Sequence, residues 1–218
     1  MKDKIKRSYS LSKNIYDDVL TQGSFLSRWY IRFFWQSVDD NQLAKNLLSW
    51  IDDDLKGRLL DVPTGTGVFT YKKYERMDQA KIVCLDYSED MLTQAIERFA
   101  AMPYVQCVQG DVGQLPFPSG SFDHVLSMNG FHAFPDKEKA YQQIYRVLKP
   151  GGLFTACFYV RGEDQRTDWL VQHILVHKGW FTPPFETVRS VQNRLNRSYD
   201  MLHFEVRGSL VMVQGRKK

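Results

Sequence analysis

Three short acid-bearing segments hold the residues whose types and spacing suit chemistry. The first is Leu59-Leu60-Asp61-Val62-Pro63-Thr64-Gly65-Thr66-Gly67, an apolar run that ends at an acid and is followed by two glycines. Glycine there permits a tight turn and lets a ligand approach the backbone closely. The second is Asp86, 19 residues beyond Gly67 and at the end of the next apolar run. An acid so placed can accept both hydroxyls of a ribose. The third is Gly110-Asp111-Val112, where the acid can accept from the exocyclic amine of an adenine while the valine packs on its ring. The glycine loop and Asp86 alone fit any adenosine-bearing cofactor, including NAD. The NAD fingerprint asks for a third small residue three positions after Gly67, and this chain has Thr70 there.

These acids need strands to hold them on one rim. Arg58–Val62, Lys81–Leu85, Tyr104–Val108, Phe122–Ser127 and Leu153–Val160 read as strands. Between them, Tyr71–Met77, Ser88–Ala100 and a segment from Asp136 to about Leu148 read as helices. Ser88 and Asp136 serve as N-caps. Lys149-Pro150-Gly151-Gly152 is expected to stop the third helix with a turn. Alternating strands and helices imply a parallel sheet covered on both faces. Ligands in such sheets bind beyond the C-terminal strand ends, which is where Asp61, Asp86 and Asp111 fall. Asp40–Leu55 and Asp164–Lys178 read as further helices. Met201–Val206 and Ser209–Gln214 read as an antiparallel pair turning at Arg207-Gly208.

Taken together, Leu60–Gly67, Cys84–Met91, Gly110–Phe117, Phe122–Asn129 and Ile144–Leu153 resemble the class I S-adenosylmethionine-dependent methyltransferases of the ubiquinone/menaquinone-biosynthesis type. The resemblance spans about residues 59–155, nearly half of the chain. It implies an α/β, Rossmann-like fold with a seven-stranded, mostly parallel sheet, helices on both faces and an antiparallel last strand. The 201–214 pair would supply the last two strands. It also implies S-adenosylmethionine as cofactor. Asp61, Gly65 and Gly67 would line the methionine part. Asp86 would take the ribose hydroxyls, with Tyr87 beside the adenine. Asp111 and Val112 would hold the adenine edge and face, and Ser127 and Asn129 would lie near the sulfonium and amino end. The chain departs from the family at Pro63, where glycine is usual. Proline fixes φ and removes an N–H donor.

The expected division is an N-terminal helical cap on the substrate side over residues 1–56 and the Rossmann-like domain over 57–218. His132, in Asn129-Gly130-Phe131-His132-Ala133-Phe134 just after the fourth strand, is the candidate general base. The aromatic stretch Phe25–Trp35 offers Trp29 and Tyr30 as substrate-facing residues. Tyr16 lies upstream of them and Trp169 is a candidate for the opposite wall. Packing is the alternative reading for all of these rings.

The 218 residues suit one domain with a small appendage. The net charge of +4 is gathered at the ends. Residues 1–32 carry seven positive and three negative side chains, and 161–218 carry ten and six. No apolar run approaches the roughly 18 residues of a membrane span, and a cytoplasmic enzyme is the default expectation. Cys84, Cys107 and Cys157 show no CxxC spacing and read as small core residues. His173 and His177 lack a third ligand at metal-binding spacing, so no metal is expected. A methyltransferase acting on a small, apolar or aromatic acceptor is the leading functional reading. The alternatives are a macromolecular acceptor (tRNA or protein), though no dedicated nucleic-acid motif is present, and a non-catalytic S-adenosylmethionine-binding protein. The oligomeric state is not encoded in any recognisable motif.

Overall fold

The computed structural model describes residues 40–218. Seven strands form one sheet in the order β3-β2-β1-β4-β5-β7-β6. They are β1 (Arg58–Asp61), β2 (Lys81–Asp86), β3 (Val105–Gln109), β4 (Phe122–Met128), β5 (Leu148–Tyr159), β6 (Tyr199–Arg207) and β7 (Leu210–Lys217). The first five are parallel, and β7 runs antiparallel between β5 and β6. Strand order reverses at β1, whose neighbours are β2 and β4. Among the described residues no helix is long and apolar enough to cross a membrane.

Period-2 alternation sends successive side chains to opposite faces of the sheet. Leu59, Ile82, Cys84, Leu126, Met128 and Cys157 face one apolar layer, and Leu60, Val83, Leu85, Val125, Phe154 and Phe158 face the other. The first layer is closed by Leu43, Leu47 and Leu48 of α1 (Asp40–Ser49) and by Ala95 of α3 (Glu89–Arg98). It also takes in the helical segment that runs through α5 (Gln165–Leu170), a π-turn (Val171–Leu175) and α6 (Val176–Lys178). The second layer is closed by Ala140, Tyr141, Ile144 and Val147 of α4 (Lys137–Val147) and by Val191 and Leu195 of α7 (Val188–Ser198). A very short helix, α2 (Tyr71–Tyr74), follows the glycine loop.

Three differences from the sequence reading stand out. Pairing of β5 begins at Leu148, so Lys149–Gly152 is a kink inside the strand rather than a turn before it. The register against β4 shifts there, between Phe122 and His124. Lys149 Nζ lies 2.7 Å from Asp123 Oδ1, while Asp123 Oδ2 accepts from the Arg58 amide at 2.8 Å, which ties the kink to the start of β1. The helix expected over Asp40–Leu55 ends at Ser49. Helix α7 was not anticipated, although Thr187 caps it and Val191 and Leu195 form its buried face.

Candidate active site

Strands β1, β2 and β4 end together, and the loops that follow them border an open cleft. Its floor and walls include Asp61, Gly65, Gly67, Asp86, Tyr87, Asp111 and Asn129, with an apolar portion formed by Phe69, Met91, Met128, Phe134 and Pro135. Gly65 and Gly67 have φ of +58° and +73°, a left-handed conformation that costs glycine little. A Cβ on Gly65 would project into open space, whereas one on Gly67 would lie 2.5 Å from the Phe99 ring. The first glycine therefore leaves room on the cleft side, and the second lets α3 close against the loop.

The loop is clasped from two sides. Asp86 Oδ2 accepts from the Gly65 amide at 2.8 Å, and Arg98 Nε donates to the Thr66 carbonyl at 2.8 Å. Asp86 Oδ1 accepts from the Ser88 amide at 2.8 Å, at the start of α3. The Tyr87 amide also bears on this carboxylate, and the lone pair that remains can accept a hydroxyl. Pro63, joined to Val62 by a cis peptide, fits because residue 130 is glycine. A Cβ there would meet Pro63 Cδ at 2.4 Å, Phe134 Cζ at 2.6 Å and Ser127 Oγ at 2.9 Å.

Burial dominates the electrostatics. It pushes the Asp61 carboxyl up to about 7, against the opposing pull of hydrogen bonds from Tyr74 and Thr64. It pushes Asp86 up to about 6, opposed by the Ser88 and Gly65 amides. Among the described residues the cleft lining thus concentrates acids without a compensating cation, a setting that favours a positively charged ligand.

Other expected residues fall elsewhere. Ser127 is fully buried and faces the α4 side of the sheet, and its neighbour Met128 lines the cleft. Val112 is buried beside Asp111 and lines a second, adjoining groove. His132, the candidate base, is buried and does not line the cleft. Its ring stacks on Phe181 at 4.1 Å, and its Nδ1 accepts from the Tyr159 amide at 3.3 Å. That tautomer puts the ring's proton on Nε2 and leaves no free lone pair, while burial pushes its pKa down to about 3. Trp169 is half-exposed, stacked on His173 at 4.8 Å, and is not part of the cleft lining. Trp29, Tyr30 and Tyr16 lie outside the described residues. The sequence reading missed Phe69, Phe134 and Pro135 in the cleft wall and Arg98 and Tyr74 behind it. Of these, Phe134 was within reach, because it sits in the loop already singled out for His132.

Residues 59–152 match the family model described as a methyltransferase domain. The chain is 42% identical over 96 residues to a demethylmenaquinone methyltransferase of Thermus thermophilus, covering 44% of each chain. It is 35% identical over 122 residues to an uncharacterised chloroplastic methyltransferase of Arabidopsis thaliana, covering 53% of this chain and 34% of that one. The chain thus spans between a third and a half of the length of these relatives. A crystal structure of a possible histamine N-methyltransferase from Thermotoga maritima superposes with a TM-score of 0.70 at 18% identity, over 98% of this chain and 100% of that one. The residues around the glycine loop fit the cofactor of such proteins, since the open side of Gly65 gives the backbone approach it needs and the buried acids suit its positive charge. The chain has the class I S-adenosylmethionine-dependent methyltransferase fold, and its cleft opens at the strand ends where the strand order reverses.

Proposed function

We propose that this chain transfers a methyl group from S-adenosylmethionine to a small acceptor with an apolar or aromatic body. The observation that carries the reading is the glycine loop clasped by Asp86 and Arg98 at the mouth of a cleft that combines buried acids with an apolar portion. In this reading Asp86 accepts from the ribose at the capacity left by the Gly65, Ser88 and Tyr87 amides. Tyr87 and Asp111 border the adenine, with Val112 packed beneath. Asp61, Gly65 and Gly67 line the methionine end, and Asn129 flanks the reactive end with Ser127 one layer below.

When bound, the cofactor supplies a methyl group on a positively charged sulfur, which is already electrophilic. The protein's task is to hold an acceptor in line with that bond, and such orientation is worth roughly 7–11 kcal/mol. Phe69, Met128, Phe134 and Pro135 provide the apolar surface for that purpose. With His132 locked in the core, the acceptor is one that presents its own nucleophilic atom, such as a hydroquinone or phenol oxygen or an activated ring carbon. The similarity to the demethylmenaquinone methyltransferase of Thermus thermophilus supports this acceptor class.

Two measurements test the proposal. S-adenosylmethionine and its demethylated product should each raise the melting temperature, and NAD should not. Methyl-labelled S-adenosylmethionine should pass label to naphthohydroquinones or phenols in preference to tRNA or protein. No stabilisation by either adenosyl ligand in a folded protein refutes the cofactor assignment, and label found only on macromolecules refutes the acceptor class.

A further inference from the structure

Asp61 is almost wholly buried, at 1% exposure, yet it borders the cleft. Asp61 Oδ2 accepts from Thr64 Oγ1 and Tyr74 Oη, each at 2.9 Å, and the Thr70 hydroxyl also bears on the carboxylate. Oδ1 takes neither of the two Oδ2 bonds. None of the three donors carries a charge. The titratable groups that feel Asp61 are Tyr74 from α2, Cys84 and Asp86 from β2, and Cys107 from β3; on the β4 side its register partner is the apolar Leu126. None of these is a cation. A buried carboxylate held only by neutral donors is incompletely stabilised, and among the described residues no positive charge completes it.

Tyr74 is placed to govern that carboxylate without touching the ligand. It is fully buried and does not line the cleft. Its ring lies 5.7 Å from that of Phe99, and its carbonyl accepts from Tyr104 Oη at 3.1 Å, so the hydroxyl is held in place from behind. We propose that Tyr74 is a positioning residue for the cationic end of the cofactor. Its hydroxyl anchors Asp61 Oδ2, presents Oδ1 to the cleft, and supports the ionised acid when a positive ligand arrives. This rests on the reading of the cleft as an S-adenosylmethionine site.

Burial holds Asp61 near 7. Binding of a cationic ligand should therefore release a proton, and affinity should tighten as pH rises from 6 to 8. A hydrogen bond to the ionised acid favours that form, so Tyr74→Phe should move the midpoint of the affinity-against-pH curve upward. It should also weaken S-adenosylmethionine binding about tenfold at pH 7, as expected for a hydrogen bond to a charged group, and by less at pH 9. Tyr104→Phe removes the neighbouring bond but not the one to the acid, and should leave the midpoint in place.

Calorimetry on the whole protein reads all of this. Proton release by the wild-type chain, measured in two buffers of different ionisation enthalpy, gives a readout even if Tyr74→Phe does not fold. Absence of that release overturns the proposal. Normal binding by Tyr74→Phe with an unmoved midpoint also overturns it and leaves the cofactor reading intact. No S-adenosylmethionine binding by the wild-type chain at pH 8 overturns both.

Discussion

Asp86 has two roles at the scale of single residues. Its oxygens take the Gly65 and Ser88 amides, which fixes the glycine loop against the start of α3, and the lone pair that remains faces the cleft. Asp86→Ala is expected to weaken S-adenosylmethionine binding by about 1.5–3 kcal/mol in calorimetry. An unchanged dissociation constant would count against the ribose role. His132 gives the opposite expectation. His132→Phe keeps a ring against Phe181 but strips the Tyr159 amide of its acceptor. It should cost about 1–3 kcal/mol in denaturant melts while methyl transfer per folded molecule holds steady. A large rate loss in a fully stable variant would return His132 to the list of bases.

The acids and glycines of the site were legible in the sequence because a loop at a strand end needs those residue types locally. Ser127 lies behind the cleft wall because one step along a strand reverses the face, and only the register of β4 decides that Met128 reaches the cleft. Tyr74 and Arg98 were not legible at all. Each acts across a tertiary contact, and nothing nearby in the sequence marks a tyrosine or an arginine as the partner of a loop.

Among elements, the loops after β1 and β4 are fitted to each other. The space left by Gly130 is filled by the Pro63 ring, and the space left by Gly67 is filled by Phe99. Gly130→Ala must displace the 63–67 loop, so it should lower both stability and cofactor affinity. Pro63→Gly should recover part of that loss, giving a coupling of about 0.5–3 kcal/mol in a double-mutant cycle. Strict additivity of the two changes would show that the loops do not press on one another. At this scale the strands and capped helices followed from periodicity, since each presents apolar residues to one layer. The kink in β5 did not, because Lys-Pro-Gly-Gly is a turn by composition and only the Lys149–Asp123 ion pair and the pairing with β4 keep it within the sheet. Helix α7 was missed because its mostly polar surface hides a narrow stripe of Val191 and Leu195.

For the whole molecule, burial of titratable groups sets a pH dependence with two opposing parts. His124 and His132 are both pushed down to about 3. Their unfolded forms titrate near 6.5, so the stability they contribute is complete above that pH and is lost as pH falls toward 3. Asp61 and Asp86 are raised to about 7 and 6. The folded form binds protons more tightly than the unfolded one, so this contribution is complete below about 3.8 and is lost as pH rises through 6 and 7. Asp61→Asn should therefore hold its melting temperature better than wild type between pH 5 and pH 8 in the absence of ligand. Parallel curves for the two proteins would show that the buried acid exacts no such cost.

The reversal of strand order at β1 has a further consequence. The sheet consists of β3-β2-β1 on one side and β4-β5-β7-β6 on the other, and the ladder between them has three register pairs, Leu59–His124, Leu60–Val125 and Asp61–Leu126, extended by the Arg58 amide on Asp123 and the Val62 amide on the Leu126 carbonyl. The β5–β7 ladder, by comparison, runs for seven. Partial opening follows the least-bonded boundary, so the two sides should breathe apart along this seam. The cleft lies across it, with Gly65 and Asp86 on one bank and Asn129 and Phe134 on the other. A ligand touching both banks acts as a stitch. Amide hydrogen exchange should slow along β1 and the end of β4 when S-adenosylmethionine is added, while β5 and β7 keep their rates.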